Sequence, residues 1–167
     1  MDYFETIRGR QSVRAYASRT VEEDKLQAIL EAARCAPSAG NFQSFEIYVV
    51  RKAEQIRALT DATFDQKFIA QAPVALVFCT NAARCEYQPA EYFALQDTTI
   101  AATQAMLAIH ALGLATCWVG AFAPAKVAGV LGIPEGHKPV AVMGIGYAAE
   151  TPERTTRRPL QDIVHEL

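Results

Sequence analysis

The sequence predicts a mixed domain of helices and strands, α+β or α/β, and three observations carry that expectation. Apolar, β-rich runs at 45–50, 73–79, 115–119 and 138–146 are separated by segments with helical spacing. Between Asp97 and Lys126 there is no Asp, Glu, Lys or Arg, and from Ile100 to Leu112 apolar residues fall on every side. A helix of that kind is buried in a core, a subunit interface or a membrane. Thr98, Thr99, Thr103 and Gln104 interrupt its first half and Gly113 closes it, short of the roughly 20 unbroken apolar residues a membrane span needs. The expectation is a central helix covered on both sides, with a C-terminal glycine cap. At 167 residues, 51% hydrophobic, the chain is long enough for one domain with a substantial core.

Taken in order, Asp2–Arg8 carries Tyr3, Phe4 and Ile7 at helical spacing. The following Arg8–Tyr16 segment, RGRQSVRAY, is expected to be extended. Alternation would then turn Arg8, Arg10, Ser12 and Arg14 to one side, a donor set suited to a phosphate because guanidinium forks match oxyanions. A second helix is expected after Thr20, with Thr20 and Glu23 in capping-box spacing and Pro37 ending it. The loop Pro37–Gln43 combines small residues with two amides that can meet the edge of a heterocycle. Phe45–Val50 reads as a strand, Ala53–Ala62 as a surface helix and Phe64–Ala70 as a short helix. Pro73–Cys79 is a buried strand, 81–90 a polar connection and Ala115–Val119 a strand stopped by Gly120-Ala121, where backbone N–H groups can approach a ligand closely. Pro124–Leu131 is a helix begun by proline, and Lys138–Gly146 is a further buried strand. Residues 147–159 show no periodicity and read as an extended arm ending in the short apolar Leu160–Val164.

Composition narrows the function classes. A net charge of −2 and pI near 5.9 give no global electrostatic case for nucleic acid or a membrane surface. The four cysteines lack CxxC spacing and read as reduced, mostly buried thiols of a cytoplasmic protein; the first residues contain no apolar targeting stretch. His110, His137 and His165 have no metal-ligand spacing, so structural or solvated roles are expected, with no metal and no side-chain acid or base. Positive charge is nevertheless concentrated: of eleven arginines, six lie at 8, 10, 14, 154, 157 and 158.

Four blocks in this order, RGRQSVRAY, APSAGNFQSFEIYVV, GLATCWVGAF and RRPLQDIV, resemble the nitroreductase superfamily over nearly the whole chain. The resemblance implies an α+β fold with a mostly antiparallel sheet flanked by helices, in an intertwined homodimer that binds FMN at its interface. It implies hydride transfer from NADH or NADPH through the flavin to a nitroaromatic, quinone or similar small acceptor. Residue by residue, it assigns Arg10, Gln11, Ser12 and Arg14 to the FMN phosphate and ribityl chain, joined by Arg157 and Arg158. Pro37, Ser38, Ala39 and Asn41 would reach the flavin held mainly by the other subunit. Val119, Gly120 and Ala121 would line the isoalloxazine, with an N–H near N5, and Gln66 would stand near the pyrimidine ring. Residues 147–167 would form a C-terminal arm reaching the partner from a single domain spanning 1–167.

Three departures bear on that reading. The connection from Cys79 to Glu91 is short where larger members carry an insertion. Ser44-Phe45 stands where many have Pro-Trp, and Thr156 where some have a basic phosphate contact. Alternatives are a relative performing dehydrogenation or dehalogenation on the same scaffold, a flavin-binding sensor or store without turnover, or a cofactor-free domain with basic ends. Cys117 reads as core packing, because no basic neighbour in sequence would lower its pKa.

Overall fold

The structure is a computed structural model describing residues 1–167. In chain order its elements are α1 (Tyr3–Gly9), α2 (Glu23–Arg34), β1 (Phe45–Val50), α3 (Ala53–Ala62), β2 (Val74–Asn81), α4 (Ala90–Ala111), β3 (Ala115–Val119), α5 (Pro124–Leu131) and β4 (His137–Gly146). Four strands form one sheet in the order β1-β2-β4-β3, every pair antiparallel. The class is therefore α+β.

Side-chain alternation on the central strands divides the core in two. Leu76 and Phe78 of β2, with Ala141, Met143 and Ile145 of β4, face Leu26, Ile29 and Ala33 of α2 and Ala101, Ala102, Ala105 and Ile109 of α4. Ala75, Val77, Cys79 and Val142 face Ile56 and Leu59 of α3 and Val127 of α5. The sheet is thus covered on both faces, which is why β2 reads as an unbroken apolar run. A small third cluster, Val13, Tyr16, Ala72 and Ala115, fastens the basic N-terminal segment to the sheet.

Helix α4 begins about two turns earlier than its apolar run suggests, because Glu91, Tyr92 and Gln96 occupy its exposed first turns. Its buried stripe is Ala94, Asp97, Thr98, Ala101, Ala102, Ala105 and Ile109, while Tyr92, Leu95 and Ile100 are exposed. At its end Gly113 adopts φ 75°, with Gly113 N–H donating to His110 and Leu114 N–H to Ile109, the two bonds of a Schellman cap. No helix is long and apolar enough to cross a membrane.

Three local expectations change. The capping box lies at Asp2 and Glu5, where side chain and backbone bond reciprocally at 2.8 and 2.9 Å. Thr20 caps nothing: α2 starts after Glu22, whose carboxylate is drawn instead to Arg19 and Tyr147. The short helix expected at Phe64–Ala70 is a 3-10 turn at Lys67–Gln71, because Phe64 and Asp65 have left-handed φ of 54° and 61°. Finally, Cys35 is exposed whereas Cys79, Cys85 and Cys117 are buried; burial pushes the Cys79 thiol up to about 12.

The third cluster sets a packing test. A Cβ added at Gly144 would lie 2.9 Å from the Ala72 Cβ and 3.5 Å from the Tyr16 ring. Gly144→Ala should therefore destabilise the fold by about 1–3 kcal/mol through overpacking, read as a lower midpoint in thermal unfolding.

Candidate functional site

The segment after α1 is held extended by backbone and side-chain bonds on both sides. Val13 N–H donates to the Thr116 carbonyl on the open edge of β3, and Tyr16 N–H donates to the Gln71 side chain. Ala17 N–H donates to Tyr147 and Ala149 N–H to Ala15, closing an antiparallel bridge between Tyr16 and Ala148. The Tyr16 hydroxyl donates to the Gly144 carbonyl at 3.1 Å, and burial holds its phenol well above the usual value, so it stays a neutral donor. Arg14 N–H donates to the Glu150 carboxylate. Two stretches 130 residues apart in sequence are thereby laid side by side.

This pairing creates a cavity of about 590 Å³ lined by Arg8, Arg10, Gln11, Ser12 and Arg14 from the first stretch and Arg154 and Arg157 from the second, with Glu153 the carboxylate among them. Val13 and Tyr16 are buried beneath it. Five arginines and the hydroxyls of Ser12 and Thr155 thus line one concavity, the Arg157 guanidinium donating within its arm to Thr155 and to the Thr156 carbonyl. The expected alternation is only partly obeyed: Arg8 lies in α1, and Gln11 joins the same wall as its neighbours. His110 lies in a neighbouring concavity that shares Arg10 and Gln11 with this one, and a Cβ at Gly9 there would lie 2.8 Å from its Nε2. Burial first, and Arg10 second, hold the imidazole below its ordinary value.

Arg158 is not brought into this cavity. Its guanidinium donates to the Asp162 carbonyl on the 3-10 turn Leu160–Asp162. The root of the arm is firmly tied, since the Tyr147 hydroxyl donates to Glu22 at 2.7 Å and accepts from Lys25 at 2.9 Å, while the Tyr147 ring lies under the Arg19 guanidinium. Those bonds, led by the Tyr147 hydroxyl, hold the Glu22 carboxyl down to about 2. Every residue from 153 onward is exposed.

The turn at Val119–Ala121 sits at the far end of β3 from the Thr116 attachment. Gly120 lies four residue steps beyond Thr116 along the extended chain, a span of roughly 13 Å. The Gln66 amide donates to the Ala121 carbonyl at 3.0 Å and to Thr63 at 2.9 Å, so both its N–H groups are spent on fixing the turn and only its carbonyl remains free. The turn does not need a glycine for its own sake. Gly120 has no left-handed φ, and an added Cβ would meet only the Trp118 indole at 3.4 Å. The backbone geometry itself does not resist a side chain here; any intolerance must come from something bound above the turn.

The loop of Pro37, Ser38, Ala39 and Asn41 lies between α2 and β1, apart from the basic cavity, with Pro37, Gly40 and Asn41 exposed. Its conformation depends on Asp97, a residue the sequence reading passed over. Asp97 is 1% exposed and accepts the N–H groups of Ala39 and Ser44 at 2.9 and 3.2 Å. The signal was present as one acid on the inward stripe of an apolar helix. Tyr16 and Glu150 were likewise missed, since only the folded pairing of 13–17 with 147–150 gives them a role. His137 accepts or donates at 2.6 Å to the Tyr48 hydroxyl, a structural contact between β4 and β1.

The sequence model described as "Nitroreductase family" matches residues 7–67 and 60–147. A protein of Methanothermobacter thermautotrophicus, provisionally named NADH dehydrogenase/NAD(P)H nitroreductase, is 35% identical over 156 residues, covering 91% of this chain and 80% of its own. "FMN reductase [NAD(P)H]" of Bacillus subtilis is 26% identical over 99% of this chain and 73% of its own. Among solved structures, the NADPH:FMN oxidoreductase of Vibrio harveyi complexed with NAD+ superposes with a TM-score of 0.91 at 26% identity, over 98% of this chain and 76% of that one.

The open space at Gly120 yields a clean separation of effects. Gly120→Ala should leave the thermal midpoint of the ligand-free protein essentially unchanged, within about 0.5 kcal/mol of wild type, as measured by calorimetry. A larger loss would mean that the turn is packed more tightly than its surroundings indicate.

Proposed function

Since this chain belongs to the nitroreductase family, we propose that its basic cavity and the Gly120 turn together hold FMN for NAD(P)H-dependent reduction of a nitroaromatic, quinone or similar small acceptor. The observation that carries the reading is the convergence of Arg10, Ser12, Arg14, Arg154 and Arg157 on one concavity beside the edge of β3. The donor chemistry fits a phosphate monoester, which guanidinium forks bind through charge-assisted hydrogen bonds. The length of β3 between the cavity and the turn suits a ligand with an anionic tail and a flat head. The relatives named for FMN reduction and NADPH:FMN oxidoreduction belong to the same chemistry.

FMN, when bound, supplies the redox chemistry, accepting hydride from the nicotinamide and passing reducing equivalents to the acceptor. The chain's own residues bind, orient and exclude. Arg10 and Arg14 would neutralise the phosphate and the Ser12 hydroxyl would donate to it, with Gln11 at the same wall and Arg157 closing from the arm. Arg158 joins them if its turn is released from Asp162. Gln66 fixes the Ala121 carbonyl, so that the backbone N–H groups of Val119, Gly120 and Ala121 stay oriented. Preset donors of this kind stabilise charge without reorganising during the reaction. The Tyr16 phenol and the Cys79 thiol are both shifted upward by burial and stay protonated, so neither serves as a base.

A second copy of the chain completes the site in this proposal. Tyr92, Leu95 and Ile100 on α4, Phe4 and Ile7 on α1, and Leu160, Ile163 and Val164 on the arm are exposed apolar residues with no cover in one chain. Burying them in a twofold interface would bring Pro37, Ser38, Ala39 and Asn41 of one copy towards the flavin of the other and give the arm 147–167 a partner surface. The chain is then one domain plus that arm. Free thiols and a dependence on reduced nicotinamides suit the cytoplasm.

Arg14→Ala should weaken FMN binding roughly ten- to a hundredfold, the worth of one charge-assisted hydrogen bond of about 1.5–3 kcal/mol. Fluorescence titration of the flavin-free protein measures it. An unchanged affinity would remove Arg14 from the site. A protein that takes up no flavin and oxidises neither NADH nor NADPH with menadione would remove the whole proposal.

A further inference from the structure

The loop Ser38–Ser44 has a backbone that few loops of its length adopt. Gly40, Asn41 and Gln43 have φ of 53°, 58° and 52°, the left-handed region that residues other than glycine enter at an energetic cost. Such conformations persist only where the surroundings over-determine them, and they concentrate at ligand-contacting sites. Here the surroundings do so. Asp97 Oδ1 accepts the Ala39 N–H at 2.9 Å and Asp97 Oδ2 accepts the Ser44 N–H at 3.2 Å, so one carboxylate grips both ends of the loop. Between them the Ser38 hydroxyl accepts the Gln43 N–H at 3.0 Å, the Gln43 amide donates to the Asn41 carbonyl at 3.1 Å, and Arg84 donates to the Phe42 carbonyl at 3.3 Å.

Asp97 is otherwise unaccounted for. It is 1% exposed on the inward stripe of α4, surrounded by Ala94, Thr98 and Ala101, and no Lys or Arg pairs with it. Burying a carboxylate without a cation is costly unless hydrogen bonds repay it, and the two loop N–H groups are the ones it receives. A helix face packed against α2 would be served by an alanine. We propose that Asp97 is a positioning residue: it holds the strained loop in one conformation, so that the exposed rim at Gly40 and Asn41 is preset for the flavin before the flavin arrives. The claim rests on the flavin reading above for its ligand, but not for the restraint itself. Preorganisation of this kind raises affinity because the ordering is complete before binding.

The chemistry requires an aspartate. An asparagine has one acceptor oxygen and an NH2 group of nearly the same shape, so Asp97→Asn would keep one bond and turn the other into two donors facing each other. The consequence is a loosened loop in a helix whose packing is otherwise unchanged.

The test compares wild type, Asp97→Asn and Ile56→Val, the last a core substitution on the opposite sheet face that contributes nothing to the loop. Amide hydrogen exchange is followed across 38–44, and FMN affinity is titrated on flavin-free protein. Asp97→Asn should speed exchange of the Ala39 and Ser44 amides about tenfold or more and weaken FMN roughly tenfold. Ile56→Val should lower the thermal midpoint while leaving loop exchange and FMN affinity as in wild type. Equal loop exchange and FMN affinity within twofold in Asp97→Asn and wild type would overturn the proposal. If Asp97→Asn does not fold, wild type still decides. Its Ala39 and Ser44 amides must be protected to the level of the β1 amides, and exchange at the rate of exposed amides would refute the restraint. A wild-type protein that binds no FMN would defeat the flavin reading, while the exchange measurements would still decide whether Asp97 holds the loop.

Discussion

The clasp between residues 13–17 and 147–150 is the constraint on which the rest depends. It is small: one bridge between Tyr16 and Ala148, two flanking backbone bonds, the Arg14 bond to Glu150 and the Tyr16 hydroxyl on Gly144. Its effect is large because the guanidiniums come from opposite ends of the chain and repel one another in water. Only a fixed backbone can hold Arg10 and Arg14 beside Arg154 and Arg157 until an anion compensates them. Burial of Val13 and Tyr16 supplies that fixture, at about 1.5–3 kcal/mol for a fully buried large apolar side chain. The sheet contributes its two glycines, Gly144 and Gly146, whose missing side chains leave room for the Tyr16 ring.

From that clasp the site extends along rigid elements. Val13 is tied to the edge of β3, and β3 ends in the turn that Gln66 braces. On the other side of the sheet's helical layer, α4 carries Asp97 to the loop before β1. Three loops of different origin are each fixed to secondary structure by at least one side chain. Sites assembled on such supports hold their geometry to within the tolerance that hydride transfer needs, where a misplacement of about 1 Å can cost on the order of a hundredfold.

Much of this was legible in the sequence, and the limits have physical reasons. β1, β3 and α5 have the bounds expected from β-branched content and from proline at the helix start. Both arginine clusters were visible as clusters, but only the family resemblance joined them, because pairing across 130 residues leaves no local pattern. The start of α4 was hidden by polar residues on its solvent side. Asp2-x-x-Glu5 and Thr20-x-x-Glu23 look equivalent as cap signatures, and tertiary partners chose between them by drawing Glu22 to Tyr147. Arg158 carried the family's motif yet points to its own turn in the single chain. Gly120 was singled out for the close backbone approach its turn allows, yet its own backbone conformation has no need of glycine.

The central claim is that the clasped cavity recognises a phosphate at the end of a flavin. Titration of the flavin-free protein with FMN and, separately, with riboflavin, which has the same ring system and no phosphate, tests it most directly. The account predicts that FMN binds at least roughly tenfold more tightly, and that the advantage shrinks with added salt as the arginines are screened. Equal affinities for the two flavins at low salt would contradict it.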